Sequence, residues 1–131
     1  EVQFHLVDSI GKKLKIIDAV AKSISLDNIT TQHTRVEEIK NRKFDFAVSR
    51  AVASLKDLWQ WSRPLLNNSM YDKQQMTNGL ICLKGGNLTQ EIGESRVQPK
   101  IIEITTLFEE DYFKEKYLLY VSQPAVNLQK K

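Results

Sequence analysis

The 131 residues contain one cysteine, Cys82, so the chain cannot form an internal disulfide, and no Cys/His cluster has metal-ligand spacing. No metal site is therefore expected. No apolar run approaches the roughly 20 residues that span a bilayer. A P-loop, a G-x-G-x-x-G string and a Ser/His/Asp order are all missing, which removes the short signatures of phosphate cradles and hydrolytic triads. His5 and His33 have no serine or cysteine at a motif spacing and read as strand residues. A charged first residue followed by strand-like alternation predicts no signal peptide. These absences predict a soluble, cytoplasmic protein of a reducing compartment. The net charge of +3 and the pI near 9.0 suit a nucleic-acid partner and an ordinary solvated surface equally well.

Strands alternate with helices along the chain, which predicts an α/β fold. Val2–Val7 reads as a strand ending at Asp8. Ile10, Leu14, Ile17, Ala21 and Ile24 then recur at intervals of three and four, the stripe of an amphipathic helix. Ile29–His33 reads as a second strand, Val36–Ile39 as a helical turn and Phe44–Ser49 as a third strand. Ser54 is placed to cap a helix whose stripe runs Leu55, Leu58, Trp59, Ser62, Leu65 and Leu66. Trp59 and Trp61 do not fit one core-facing stripe, so one of them is expected at the surface or against an element missing from the chain. Asn67–Asn78 reads as a polar surface loop, Leu80–Leu83 as a buried strand and Leu88–Ile92 as a short helix. Lys100–Leu107 and Tyr117–Ser122 lie close enough in sequence to form an antiparallel hairpin, whereas the earlier strands, separated by helices, should be parallel. The 129–131 end is expected to fray. Length and pattern together predict one domain over residues 1–131.

Four strand ends carry polar or charged groups: Asp8-Ser9, Arg35-Val36-Glu37-Glu38, Ser49-Arg50 and Lys84-Gly85-Gly86. In an open parallel sheet, ligands bind outside the carboxyl ends of the strands. Asp8 suits the two hydroxyls of a ribose and suits a helix N-cap equally well. Glu37 and Glu38 also read as first-turn acids favoured by a helix dipole. Lys84 stands beside two glycines that permit close approach of a ligand or simply turn the chain. Lys12, Lys13, Lys15 and Lys22 fit a solvated helix face better than a phosphate-binding stripe. Cys82 reads as a small core residue.

The strings Leu6-Val7-Asp8-Ser9-Ile10-Gly11-Lys12-Lys13, Arg35-Val36-Glu37-Glu38, Phe44–Leu55 with its Ser-Arg-Ala-x-Ala-Ser-Leu core, and Leu83-Lys84-Gly85-Gly86 occur in one order and spacing. Together, from residue 1 to about 122, they resemble the small-subunit ribosomal RNA methyltransferase G family, also called glucose-inhibited division protein B. The resemblance implies a Rossmann-like S-adenosylmethionine-dependent methyltransferase sheet, mostly parallel with a C-terminal antiparallel hairpin. It implies methylation of a guanine N7 in 16S rRNA of the 30S subunit. Carried over by motif, Asp8 and Ser9 would hold the cofactor ribose, and Val36 with Glu37 would lie against the adenine. Arg50 would serve cofactor and substrate, Arg50 and Lys84 would be the catalytic residues, and Lys12, Arg35 and Lys84 would contact RNA.

Members of that family begin with a helical segment and a first strand feeding a Gly-rich loop for the methionine end of the cofactor. Nothing in residues 1–131 matches them, so the resemblance implies a partial methyltransferase domain lacking its first strand. On that reading the piece is inactive alone and prone to self-association along unpaired strand edges. A non-catalytic RNA- or partner-binding role, or a methyltransferase of the same fold with another substrate, are the alternatives. A missing catalytic His or Cys is no obstacle: guanine N7 carries a lone pair and no proton, so its methylation needs positioning rather than a general base.

Overall fold

In the computed structural model, residues 2–50, 53–67, 69–70, 77–123 and 125–126 are described. They form a mixed α/β structure that divides into two compact units, residues 1–41 and 42–131.

The first unit is a strand–helix–strand motif. β1 (Phe4–Asp8) and β2 (Ile29–His33) are parallel, in a register that sets Phe4 opposite Ile29 and Asp8 opposite His33. Between them runs α1 (Gly11–Ser23), which buries Leu14 and Ala21. Its end is fixed by the backbone N–H of Leu26 donating to Ala21 O (2.8 Å) and by Ser25 in the left-handed region (φ 59°). On its polar side, Thr31 Oγ1 donates to the Asp18 carboxylate at 3.0 Å. The stripe read from the sequence is shorter in the fold, because Ile10 and Ile24 occupy the two cap positions and are exposed.

The second unit is built on a four-stranded sheet in the order β3-β5-β7-β6. β3 (Phe46–Arg50) is parallel to β5 (Gly79–Gly85); β7 (Lys116–Ser122) is antiparallel to both β5 and β6 (Lys100–Glu103). The antiparallel pair expected at the end of the chain is thus present, with β6 cut short by a 3₁₀ turn over Ile104–Thr106. Leu80, Cys82, Leu119 and Val121 alternate along β5 and β7 and pack with Leu55 and Leu58 of α2 (Leu55–Ser62) as the core. The opposite face of β3 is open: Val48 is 70% exposed and Phe46 is also exposed. A two-residue parallel ladder joins β4 (Ser69–Met70) to β8 (Ala125–Val126). Ala51, Val52, most of the 67–78 stretch and the 129–131 end lie outside the described residues.

Two expectations are corrected in this unit. α2 stops at Ser62 rather than running to Leu66, because Pro64 enters a 3₁₀ turn (Arg63–Leu65) and lacks the N–H that would continue an α-helix. Leu66 is nevertheless buried, as an extended residue bridged to Phe44. Neither tryptophan is set aside at the surface either: Trp59 and Trp61 flank the Leu55/Leu58/Ser62 stripe on opposite sides, and both indoles pack against the core cluster.

Candidate functional site

The parallel pairing of β1 with β2 puts their carboxyl ends at one rim of the first unit. Asp8 ends β1 opposite His33, and the 3₁₀ turn Val36–Glu38 follows β2 directly. Asp8 is half-buried, and its Oδ1 accepts from the backbone N–H of Ile10 at 2.8 Å. This is an Asx turn ahead of the helix; the N-cap position of α1 belongs to Ile10, which makes no side-chain cap. The carboxylate therefore stands at the strand end rather than over the helix terminus. Ser9 is exposed, and its carbonyl is 3.0 Å from His33 Nε2, tying the β1–α1 turn to the end of β2. Val36 is half-buried while Glu37 is exposed, and the Arg35 guanidinium lies 3.9 Å from the Glu37 carboxylate. Exposed pairs of that kind contribute little to stability. Lys12 is exposed in the first turn of α1.

The second unit has an equivalent rim. Pairing of Arg50 with Leu83 sets Arg50 and Lys84 at the same end of neighbouring parallel strands. The Arg50 residue is exposed. Next to it, Ser49 Oγ is buried without a hydrogen-bond partner among the described residues. β5 runs two residues further than its apolar content suggests: Lys84 and Gly85 pair with Tyr117 and Lys116, and the chain turns at Gly86, whose φ of 77° suits glycine.

Lys84 is the least expected group of the site. Its side chain is only 10% exposed, and its Nζ lies 2.9 Å from Glu91 Oε2 on α3 (Thr89–Ser95). The same ammonium donates to the carbonyl of Ala53. Glu91 Oε2 in turn accepts from the backbone N–H of Leu55 at 2.9 Å. Sequence reading missed Glu91; the only signal is that a turn after β5 returns the first turn of α3 over the strand end, seven residues beyond Lys84. Immediately beneath, burial pushes the Cys82 thiol up to about 11, with Lys84 lowering it and Glu91 raising it.

Asp8, Ser9, Val36 and Glu37 are thus gathered at one rim of the first unit, Arg50 and Lys84 at one rim of the second. At the first rim Asp8 offers a half-buried carboxylate acceptor and Val36 a half-buried apolar surface, a pairing that would fit a polar hydroxylated group beside a flat apolar one. Among the described residues no group of His, Cys, Asp and Glu is placed to hold a metal ion, and no helix is long and apolar enough to cross a membrane.

The sequence profile of the family described as rRNA small subunit methyltransferase G matches residues 1–115. The chain belongs to this family. Among curated relatives, it is 48% identical over 122 residues to the Ribosomal RNA small subunit methyltransferase G of Phocaeicola vulgatus, covering 93% of this chain and 57% of that protein. The protein of the same name from Porphyromonas gingivalis is 48% identical, with 92% of this chain and 54% of that protein aligned. That of Christiangramia forsetii is 41% identical, with 92% and 56% aligned. The chain spans about half the length of the curated relatives it matches.

Proposed function

We propose that this chain is part of a cytoplasmic, S-adenosylmethionine-dependent methyltransferase that modifies guanine N7 in 16S rRNA of the 30S subunit. The observation that carries the reading is the placement of the family's motif residues at the carboxyl ends of parallel strands, where α/β sheets bind ligands. Asp8, with Ser9 beside it, accepts the ribose hydroxyls; Val36 and Glu37 flank the adenine. The bound cofactor supplies an electrophilic methyl group. Arg50 orients the substrate base, with bidentate guanidinium bonds available to it, while Lys12 and Arg35 neutralise rRNA phosphates. The attacking nitrogen carries no proton, so the protein's part is to hold it in line and exclude water.

The two units belong, on this reading, to one Rossmann-like domain. Among the described residues β1 pairs only with β2, and β3 only with β5, so each has a side on which another strand can add. The family's first strand, which the chain does not itself supply, is a strand that an open edge of this kind can take. Without it the methionine end of the cofactor has no cradle, and the 131-residue chain alone transfers no methyl group. Self-association along those edges is the competing outcome, and sedimentation separates the two. The test of function is methyl transfer to 30S particles and naked 16S rRNA by the full-length protein containing this chain. Label mapping to a guanine N7, lost on Asp8→Ala, is the expected result; label on another base or on protein refutes the substrate. Tight cofactor binding and transfer by the isolated monomer refute the missing-strand reading.

A further inference from the structure

Lys84 ends a strand at the candidate site, yet its amine is not presented to solvent. It is 10% exposed and held between Glu91 Oε2 (2.9 Å) and the carbonyl of Ala53. Glu91 bridges onward to the N–H of Leu55 (2.9 Å), the first residue of α2. Ser54, between these two anchor points, caps α2 by accepting from the Asp57 N–H at 3.2 Å. Segment 53–55 is therefore fastened at two backbone groups on either side of Ser54, one carbonyl by Lys84 and one N–H by Glu91, and the helix start is held by its own serine. A carboxylate at a helix N-terminus is favoured by the dipole, and a charge-assisted bond is stronger than a neutral one. Three residues before Ala53 stands Arg50.

We propose that Lys84 and Glu91 are positioning residues: their ion pair latches segment 53–55, which begins three residues beyond Arg50, to the ends of β5 and α3. The proposal rests on the functional reading above for what Arg50 does, but the latch itself does not. It takes Lys84 away from RNA, because an ammonium satisfied by a carboxylate and a carbonyl has little to offer a phosphate. It also explains a lysine inside a ladder: Glu91 compensates a charge that is costly to bury alone.

The experiment uses the 131-residue chain and three substitutions, Lys84→Met, Glu91→Gln and Lys84→Arg. Backbone order parameters from nitrogen relaxation are read at Arg50, Ala53, Ser54 and Leu55, with the Lys84 ammonium followed directly by proton–nitrogen correlation. In the parent, a slowly exchanging ammonium signal and rigid values near 0.85 are expected at 53–55. Lys84→Met and Glu91→Gln drop these residues below about 0.6 while Ile81 and Leu83 of β5 stay rigid; Lys84→Arg, which keeps charge and donors, restores order. A pair that merely stabilises the fold lowers the melting temperature without loosening 53–55, and that result overturns the proposal. A second readout is binding to a short guanine-containing RNA. If Lys84→Met leaves 53–55 rigid and lowers the salt slope by about one, Lys84 is a phosphate contact and the latch is wrong. Should both neutral variants fail to fold, a fast-exchanging Lys84 ammonium in the parent is by itself enough to overturn it. If the latch stands but methyl transfer by the full-length protein is absent, the functional reading has failed and not this one.

Discussion

Gly79 opens β5, the strand that joins the parallel and antiparallel parts of the main sheet, and replacing it with alanine tests whether that junction has any slack. An added Cβ would lie 2.3 Å from Val121 O and 3.1 Å from Ser122 Cα, both backbone atoms of β7. No side chain can turn aside to relieve this, so the two strands must part by most of an ångström at that end. The neighbouring bonds are directional: Gln123 N–H to Asn78 O at 2.6 Å on one side, Gly79 N–H to Asp45 O at a longer 3.3 Å on the other. Overpacking costs about 1–3 kcal/mol, and each backbone bond strained or lost adds about 1 kcal/mol. The expected destabilisation is therefore about 3 kcal/mol or more, which for a domain of this size lowers the melting temperature by about 12 °C or more. The control is the same substitution at Gly93 in α3, where nothing lies within 4 Å of the added Cβ. There the lost backbone entropy of glycine is the only term, and Gly93→Ala should stabilise by about 0.5–1 kcal/mol. Thermal and urea unfolding of both variants measure the pair. A Gly79→Ala protein melting within two or three degrees of its parent, on the order of the measurement scatter, would refute the tight β5–β7 contact.

Three further outcomes are expected. Cys82→Ala should flatten the alkaline loss of stability: with the folded thiol held at about 11 against an ordinary 9.0, the unfolded state loses the proton first. Stability then falls as pH rises from about 9 to about 11, by up to about 1.4 kcal/mol per pH unit, and urea midpoints across that window measure it. Asp8→Asn keeps an acceptor for the Ile10 N–H but removes the charge, so calorimetric titration of the full-length protein with S-adenosylhomocysteine should show at least about tenfold weaker binding at an unchanged melting temperature, a loss of about 1.4 kcal/mol. Lys12→Ala, at an exposed position, should weaken RNA binding and lower the log–log salt slope by about one; an unchanged slope returns Lys12 to an ordinary solvated helix face.

Much of this fold was legible because it rests on local pattern. Ile29–His33 and the turn at Val36–Glu38 fall where β-propensity and first-turn acids put them. The positions that escaped are those settled by groups distant in sequence. The start of β3 shifts from Phe44 to Phe46 because Phe44 is bonded instead to the stretch beyond α2, its N–H to Leu65 O at 2.7 Å. The tryptophans defeat a strict helical stripe because an indole on the flank of a helix is long enough to fold back over the core that Leu55 and Leu58 fill. Asp8 left two readings open in the sequence, and what decides between cap and strand end is a single bond to Ile10 N–H, two residues away.

Lys84 shows why a site is harder to read than a fold. A lysine after an apolar run reads as the end of a strand, since a charge in the ladder is costly unless something compensates it. Here the ladder continues through Lys84 and Gly85, opposite Tyr117 and Lys116, and the compensating carboxylate comes from the next helix. Nothing in Leu83-Lys84-Gly85-Gly86 announces Glu91; the pair exists only once the turn at Gly86 brings α3 back over the strand. A basic residue at a strand end thus signals where a site lies without saying whether its charge faces a ligand or a neighbouring helix. Arg50 and Lys84 share one rim and differ in this respect: the arginine is exposed, the lysine is held by Glu91 and Ala53. That difference follows from the register of β3 on β5 and the placement of α3. It divides the two cations between one open to solvent and one held within the fold.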